Sequence, residues 1–89
     1  MARPKKLKKV AIELKCDDFV PIVPVVLETL YLEKAELEAL RLKDVLGLEQ
    51  KKAAKAMGIS QPTFHRVLLK ARKKLSEAVV EAKELKIRY

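Results

Sequence analysis

Apolar residues in the second half of the chain recur at helical spacing. From Phe64 to Leu85 they follow one another at steps of four and three residues, which predicts one long helix from Gln61 to about Lys83. Ser60 is a good N-cap residue, and Pro62 falls in the first turn, where its missing N–H costs little. We call this row of positions the apolar seam; its members are Phe64, Leu68, Ala71, Leu75, Ala78, Ala82 and Leu85.

Two shorter helices are predicted before it. Residues 33–46 are rich in good helix formers, with apolar residues on two sides, as in a central helix of a small bundle. Gly47 ends this helix as a left-handed glycine. A second helix over about 49–57 is stopped by Gly58. Its inward residues are expected to be Ala53, Ala54 and Met57.

The flanking segments favour extended structure. Residues 8–14 alternate apolar and polar, which predicts a short strand, and residues 84–89 predict a terminal one. Pro21 and Pro24 bias the residues before them away from helix. The β-branched and aromatic content of residues 25–32 favours a strand, although Pro24 could also begin a helix, and we prefer the strand.

The predicted fold is therefore mainly α. It has a three-helix core, a long C-terminal helix and short β-strands near both ends. A chain of 89 residues is expected to form one domain. Residues 1–32 would be a basic arm with short extended or β segments, 33–83 the helical core, and 84–89 the terminal strand.

Charge is distributed unevenly. The formal net charge is +8, from 20 Lys and Arg against 12 Asp and Glu. Residues 1–15 carry a net +5, 16–50 a net −5, 51–74 eight positive charges and no negative one, and 75–89 balance. Twenty-four residues thus account for the whole net charge, which points to a site for a polyanion.

The segment from Gln50 to Leu68 has the residues that a helix-turn-helix needs. Ala54 is small where two helices would approach, and Gly58 supplies a left-handed turn residue. Ile59 fills the corner between the helices. We therefore expect a helix-turn-helix over residues 50–74, with the turns that follow Ser60 entering the major groove of DNA.

Inward placement of Phe64 and Leu68 turns other side chains outward. Gln61 could pair with adenine and Arg66 with guanine, each contact giving about 1–3 kcal/mol of discrimination. The predicted base-contacting residues are Gln61, Pro62, Thr63, His65 and Arg66. The predicted phosphate-contacting residues are Gln50, Lys51, Lys52, Lys55, Ser60, Lys70, Arg72, Lys73 and Lys74. An N-terminal arm of Arg3, Lys5, Lys6, Lys8 and Lys9 could be disordered or follow the DNA.

The run through 35–42, Asp44, Gly47-Leu48, 61–64 and 71–75 resembles region four of sigma factors. More closely, the chain resembles a small, uncharacterised prokaryotic family of predicted DNA-binding proteins, whose members begin with Met-Ala-Arg-Pro-Lys-Lys or similar. The resemblance implies a helix-turn-helix with DNA as partner. The chain departs from the family pattern at Glu49 (often Ser), at Lys51 and Lys52 (often acidic) and at Gln61 (often Arg).

Other function classes lack support in the sequence. No set of nucleophile, base and acid, no phosphate-binding glycine loop and no metal-ligand spacing is present, so we expect no enzymatic activity, cofactor or metal. No small-molecule ligand is evident, and whether an effector binds stays open. A single cysteine excludes a disulfide framework and suits a reducing compartment. No apolar run is long enough to span a bilayer, and the start does not resemble a signal peptide. We expect a cytoplasmic transcriptional regulator.

Protein partners stay open at this stage. The apolar seam outruns the helices available to cover it, so we expect a homodimer through the C-terminal half and the flanking strands. The acidic stretch 28–49 could be a docking face, but we prefer a solvated one that offsets lysines through pairs such as Glu38 with Arg41. Alternatives to sequence-specific DNA binding are an adaptor that docks on RNA polymerase or another regulator, and non-specific nucleic-acid or nucleoid binding.

Overall fold

The computed structural model describes residues 10–88. The helices and strands in chain order are β1 (Asp18–Phe19), β2 (Thr29–Glu33), α1 (Lys34–Leu40), α2 (Gln50–Met57), α3 (Gln61–Glu81) and β3 (Glu84–Arg88). About half of the chain is helical and the strands form one three-stranded sheet, so the fold is mixed α/β. The prediction of a mainly α fold underestimated the sheet, because the strands of the sheet are short and far apart in sequence.

The predicted helix over 33–46 is confirmed in extent but changes pitch midway. Beyond α1 the chain continues as a π-helical segment, Arg41–Val45. Its wider turn is closed by Leu46, whose N–H donates to the carbonyl of Arg41 at 2.8 Å. Gly47 then ends the helix with a φ of +74°, the left-handed conformation expected for it.

Helices α2 and α3 begin where the sequence predicts them. The inward residues of α2 are buried as expected, Ala53 and Met57 completely. Helix α3 ends at Glu81, two residues earlier than predicted, because Ala82 adopts a left-handed φ of +54°. The chain turns there so that the next residues can join the sheet.

The members of the apolar seam differ in their environment. Phe64, Leu68 and Ala71 are fully buried, as predicted. Leu75 is 41% exposed, so the seam comes to the surface at this position, while the next member, Ala78, is buried again. Leu85 is buried, but on β3 rather than on the helix.

The sheet has the order β1-β3-β2, with the predicted terminal strand in the middle. Strand β3 runs antiparallel to β1 and parallel to β2, and Leu32 lies opposite Ile87. Alternation in β3 buries Leu85 and Ile87 against the helices. The strand predicted within 25–32 begins only at Thr29 and extends to Glu33.

The strand predicted over 8–14 is wrong for its described part, Val10–Leu14, which is in no strand. Both edges of β3 are occupied, one by β2 and the other by Asp18–Phe19. The backbone of the earlier segment finds a different partner, because the N–H of Ala11 donates to Oε2 of Glu38 at 3.0 Å. Apolar alternation was present, but both edges of the central strand β3 were already occupied.

One core joins the sheet to the helices. The largest fully buried side chains are Leu32 from β2, Met57 from α2, and Phe64 and Leu68 from α3. Each such side chain contributes roughly 1.5–3 kcal/mol when removed from water. Burial of these four side chains therefore fixes how α2 packs against α3 and how α3 packs against the sheet.

The predicted pair of Glu38 with Arg41 is confirmed, but its surroundings are not solvated as expected. Glu38 is 3% exposed and accepts from Nε and Nη2 of Arg41 at 2.7 and 3.1 Å. Burial raises the pKa of the Glu38 carboxyl, but the hydrogen bonds from Arg41 and from the N–H of Ala11 outweigh it and hold the pKa below 4.5. Glu38 therefore fastens the N-terminal segment to α1.

We predict that Glu38→Gln lowers the free energy of unfolding at pH 7 by about 2 kcal/mol, the usual contribution of hydrogen bonds to a charged group. A carboxyl whose pKa is lowered by folding stabilises the protein above its unfolded pKa and loses that effect as the pH falls through its folded pKa. The difference between variant and parent should therefore shrink at pH 3. Urea unfolding at both pH values measures it.

The matched control is Glu13→Gln, because Glu13 is exposed. It should change stability by less than about 0.5 kcal/mol at either pH. An equal loss in both variants, or a Glu38→Gln effect that does not diminish at low pH, would contradict the role given to Glu38.

Candidate nucleic-acid interface

The turn between α2 and α3 is closed by backbone hydrogen bonds. Gly58 has a φ of +68°, and its N–H donates to the carbonyl of Lys55 at 3.0 Å. The N–H of Ile59 donates to the carbonyl of Ala54 at 3.1 Å. Together these two bonds form the Schellman arrangement, which satisfies the last carbonyls of α2 and redirects the chain. Glycine suits this site because side chains disfavour the left-handed region.

Ser60 then starts α3 as its N-cap. Its Oγ accepts from the N–H of Thr63 at 3.2 Å and donates to Oγ1 of Thr63 at 2.8 Å. Pro62 lies in the first turn, where no hydrogen bond is lost. The hydroxyl of Thr63 also accepts from Nη2 of Arg66 at 3.4 Å. Three predicted contact residues, Ser60, Thr63 and Arg66, are therefore linked by hydrogen bonds.

Most of the predicted base-contacting residues share one exposed surface. Gln61, Pro62, His65 and Arg66 are all exposed on the first turns of α3, whereas Thr63 is half-buried. The cause is the full burial of Phe64 and Leu68, which turns the opposite side of the helix outward. We call the exposed side of α3 from Gln61 to Arg66 the recognition surface.

A side-chain contact ties the recognition surface to α2. The amide of Gln50, the first residue of α2, lies 3.1 Å from Nδ1 of His65. Both side chains are at the surface, so the contact orients the imidazole without burying it. Gln50 was predicted to contact phosphate; in the structure it is engaged with a predicted base-contacting residue.

Exposed lysines surround the recognition surface. Lys51, Lys52 and Lys55 lie on α2, and Lys70 and Lys73 lie on α3 beyond Arg66. Within residues 10–88 none of these five forms an ion pair. The hydrogen bond from Lys83 lowers the pKa of Glu77, and the nearby charge of Lys73 adds a smaller effect in the same direction. The ammonium groups of these five lysines are therefore available to an external anion.

Two predicted phosphate-contacting residues are placed differently. Arg72 holds Asp44 through two hydrogen bonds, Nη2 to Oδ1 at 2.6 Å and Nε to Oδ2 at 3.0 Å. The hydrogen bond from Arg72 lowers the pKa of Asp44, and the same bond raises the pKa of Arg72. A phosphate that approached Arg72 would have to compete with this carboxylate.

Lys74 is engaged in a similar way. Its Nζ donates to Oε1 of Glu36 at 2.8 Å and to the carbonyl of Tyr31 at 2.7 Å. Glu36 is only 4% exposed and also accepts from the N–H of Glu33 at 2.8 Å. Lys74 therefore balances a buried carboxylate and joins α3 to β2 and α1.

The chain matches, over residues 1–88, a family model described as a protein of unknown function, DUF134. It belongs to this family. Among curated proteins, a UPF0251 protein of Chloroherpeton thalassium is 51% identical over 98% of the chain, and one of Desulforudis audaxviator is 44% identical over the same share. A UPF0251 protein of Dehalococcoides mccartyi is 45% identical, again over 98% of the chain.

Some of these relatives of the DUF134 chain are considerably longer. The chain spans 59% of the Chloroherpeton protein, 58% of the Desulforudis protein and 76% of the Dehalococcoides protein. No solved structure matches the chain significantly. The comparisons therefore establish the family, while the chemistry of the recognition surface comes from the DUF134 chain itself.

The predicted N-terminal arm of this DUF134 chain lies outside the residues that the structure describes. The predicted arm of Arg3, Lys5, Lys6, Lys8 and Lys9 falls outside residues 10–88. In the described part of the chain, no cluster of His, Cys, Asp and Glu could hold a metal ion. No helix within 10–88 is long and apolar enough to cross a membrane.

The ion pairs of Arg72 and Lys74, and the contact of Gln50 with His65, were missed by sequence reasoning. Asp44 is 28 residues from Arg72, and Gln50 is 15 residues from His65, so no helical spacing links either pair. The sequence carried only a weak signal for the two ion pairs. Asp44 and Glu36 are acids on a helix expected to pack beside the basic segment 51–74, which suggests pairing but does not identify the partners.

We predict that Ser60→Ala lowers the free energy of unfolding by about 1 kcal/mol, because the N–H of Thr63 loses its side-chain acceptor. Ser60→Asp should retain nearly all of the stability, since Asp is an equally good N-cap residue. Urea unfolding of both variants measures the difference. Equal losses in the two variants would show that the hydroxyl does not act as a cap.

Proposed function

We propose that this protein binds double-stranded DNA sequence-specifically and regulates transcription. In this proposal α2, the turn at Gly58 and α3 act as a helix-turn-helix like that of sigma-factor region four. The supporting observation is the recognition surface itself: it lies on the first turns of a capped helix, with unpaired lysines on both of its flanks. That is where helix-turn-helix proteins carry their base contacts.

In the proposed mechanism the first turns of α3 enter the major groove, which is wide enough for a helix. Gln61 pairs with adenine, and Arg66 pairs with the O6 and N7 atoms of guanine. His65, held by Gln50, and Pro62 contact neighbouring bases. Thr63 contributes less than an exposed residue would, because its hydroxyl already accepts from Ser60 and Arg66.

Phosphate contacts hold the helix in this position. Lys51, Lys52 and Lys55 neutralise the backbone on one side of the groove, and Lys70 and Lys73 do so on the other. These contacts align the helix but carry no sequence information. Arg72 and Lys74 act mainly within the protein, because their carboxylate partners lie 2.6 and 2.8 Å away.

The adaptor alternative finds less support. A docking face for a basic partner would need free carboxylates along 28–49. Glu36 and Glu38 are buried, and Asp44 is held by Arg72. Binding to RNA polymerase without DNA, or equal affinity for all duplexes, would be the outcomes that favour the adaptor or the nucleoid reading.

We predict a steep salt dependence of duplex binding. Lys51, Lys52, Lys55, Lys70 and Lys73 could make about five phosphate-neutralising contacts, which corresponds to a slope of about −4.5 in a plot of log K against log salt concentration. Fluorescence anisotropy with a labelled duplex pool between about 50 and 200 mM salt measures this slope. A duplex affinity that does not change with salt would contradict the mechanism.

We also predict a division of roles between two neighbouring residues on α3. Arg66→Ala should reduce the preference for a selected duplex over a random one by roughly 10- to 100-fold. Lys70→Ala, which removes the same charge one helical turn further on, should weaken binding to both duplexes alike and make the salt slope shallower by about 1. Competition titrations with both duplexes separate these effects.

Comparing Arg66→Ala with Lys70→Ala is informative because both side chains are exposed, so neither substitution removes a core contact. Loss of preference in both variants, or in neither, would contradict the assignment of Arg66 to bases and Lys70 to phosphate.

A further inference from the structure

A large groove lies apart from the recognition surface. It has a volume of about 910 Å³ and is lined mostly by apolar side chains. One part of its lining comes from the extended segment after β1, including Phe19 and Ile22. Another part comes from the C-terminal half of α3, including Leu75 and Val79. We call it the apolar groove.

The side chains of the apolar groove are unusually exposed for their type. Ile22 is fully exposed, Val79 is 76% exposed and Phe19 is 53% exposed. Monomeric proteins rarely show a contiguous apolar surface of this kind unless it binds something. Leu75 marks the position where the predicted apolar seam comes to the surface, so the unpartnered part of that seam lies in this groove.

The extended segment beside the groove is weakly attached to its own chain. Pro21 and Pro24 keep the residues before them out of helix. The one backbone hydrogen bond of residues 20–27 within the described chain is internal to the segment, from the N–H of Val23 to the carbonyl of Pro21 at 3.1 Å. Val25 and Leu27 continue the exposed apolar row, at 66% and 90% exposure. This segment therefore offers an apolar ridge next to an apolar groove.

The area of this surface matches what a small dimer needs. Burying one Val, Leu, Ile or Phe side chain removes roughly 60–120 Å² of apolar surface, at about 25 cal/mol per Å². The partly exposed apolar side chains of the groove and ridge therefore offer on the order of 500 Å² per copy. A pair would bury about 1,000 Å², the lower bound for a specific interface. A dimer of micromolar affinity is the expected result.

The charged residues beside the groove favour a second copy over a charged partner. Arg41 is bound to Glu38, Asp44 to Arg72, and Lys83 to three carboxylates: Glu28 and Glu77 at 2.5 Å and Glu81 at 2.9 Å. Three of the four charged lining residues are therefore balanced within the chain. The fourth, Asp18, forms no ion pair within residues 10–88, and its Oδ1 is buried without a hydrogen-bond partner. Arg66 of the recognition surface is 13 residues from Val79 along α3, which corresponds to about 20 Å. This distance exceeds the Debye length of about 10 Å, so salt screens the charge of Arg66 from the groove.

We propose that a second copy of this chain occupies the apolar groove. In a two-fold pair, each copy would place its ridge in the groove of the other, so that ridge and groove are both covered by one symmetric contact. The pair would present two recognition surfaces. This inference rests on the apolar surface and not on the proposed function, and it is tested without nucleic acid.

Sedimentation equilibrium of the full chain, from about 1 to 200 µM, tests the proposal. The parent chain should shift from its 10.1 kDa monomer to a species of about 20 kDa over this range. Val79→Glu should weaken dimerisation by at least about 100-fold, because a carboxylate would be buried in the apolar groove. Ile22→Glu should do the same, and because Ile22 is fully exposed this change leaves the monomer intact.

Val80→Glu is the matched control. Val80 is the next residue of α3 and is 81% exposed, but it does not line the groove. The control carries the same charge change as Val79→Glu and should alter the dissociation constant by less than about threefold. A parent chain that stays monomeric at 200 µM would overturn the proposal. Equal effects of Val79→Glu and Val80→Glu would overturn the location.

Discussion

Burial of Phe64 fixes the rotation of α3 about its axis, and the candidate site depends on that rotation. Phe64 is fully buried in the same core as Met57 and Leu68. Because residues on opposite sides of a helix have opposite environments, this burial turns the recognition surface outward. The turn at Gly58 and the cap at Ser60 then set where α3 begins. Together they determine which side chains face an external partner.

A second constraint divides the positive charges into two groups. Acids on the first helical segment bind Arg72 and Lys74, whose contacts hold α3 against the rest of the fold. Lys51, Lys55 and Lys70 have no ion pair within 10–88 and remain available. The net charge of +8 therefore overstates how much of the basic segment can contact an external anion, and the pairs show which part is structural.

Local features of the fold were predictable from sequence, and long-range ones were not. The glycine turn at Gly58, the cap at Ser60 and the buried faces of α2 and α3 follow from propensity and periodicity, which act within a few residues. The strand expected near Val10 failed because pairing depends on which edge of β3 is free, and Asp18–Phe19 took that edge. The outward residues of α3 were identified correctly because they follow from local periodicity. The partners of Arg72 and Lys74 were not identified, because they are distant in sequence.

We propose that the first turns of α3 read bases in duplex DNA. Selection of bound duplexes from a random library, with the full chain as bait, is the decisive measurement. We expect enrichment of one short motif with preferred positions for adenine and guanine, the bases assigned to Gln61 and Arg66. A bound pool that stays random after repeated rounds would show that these turns do not read bases.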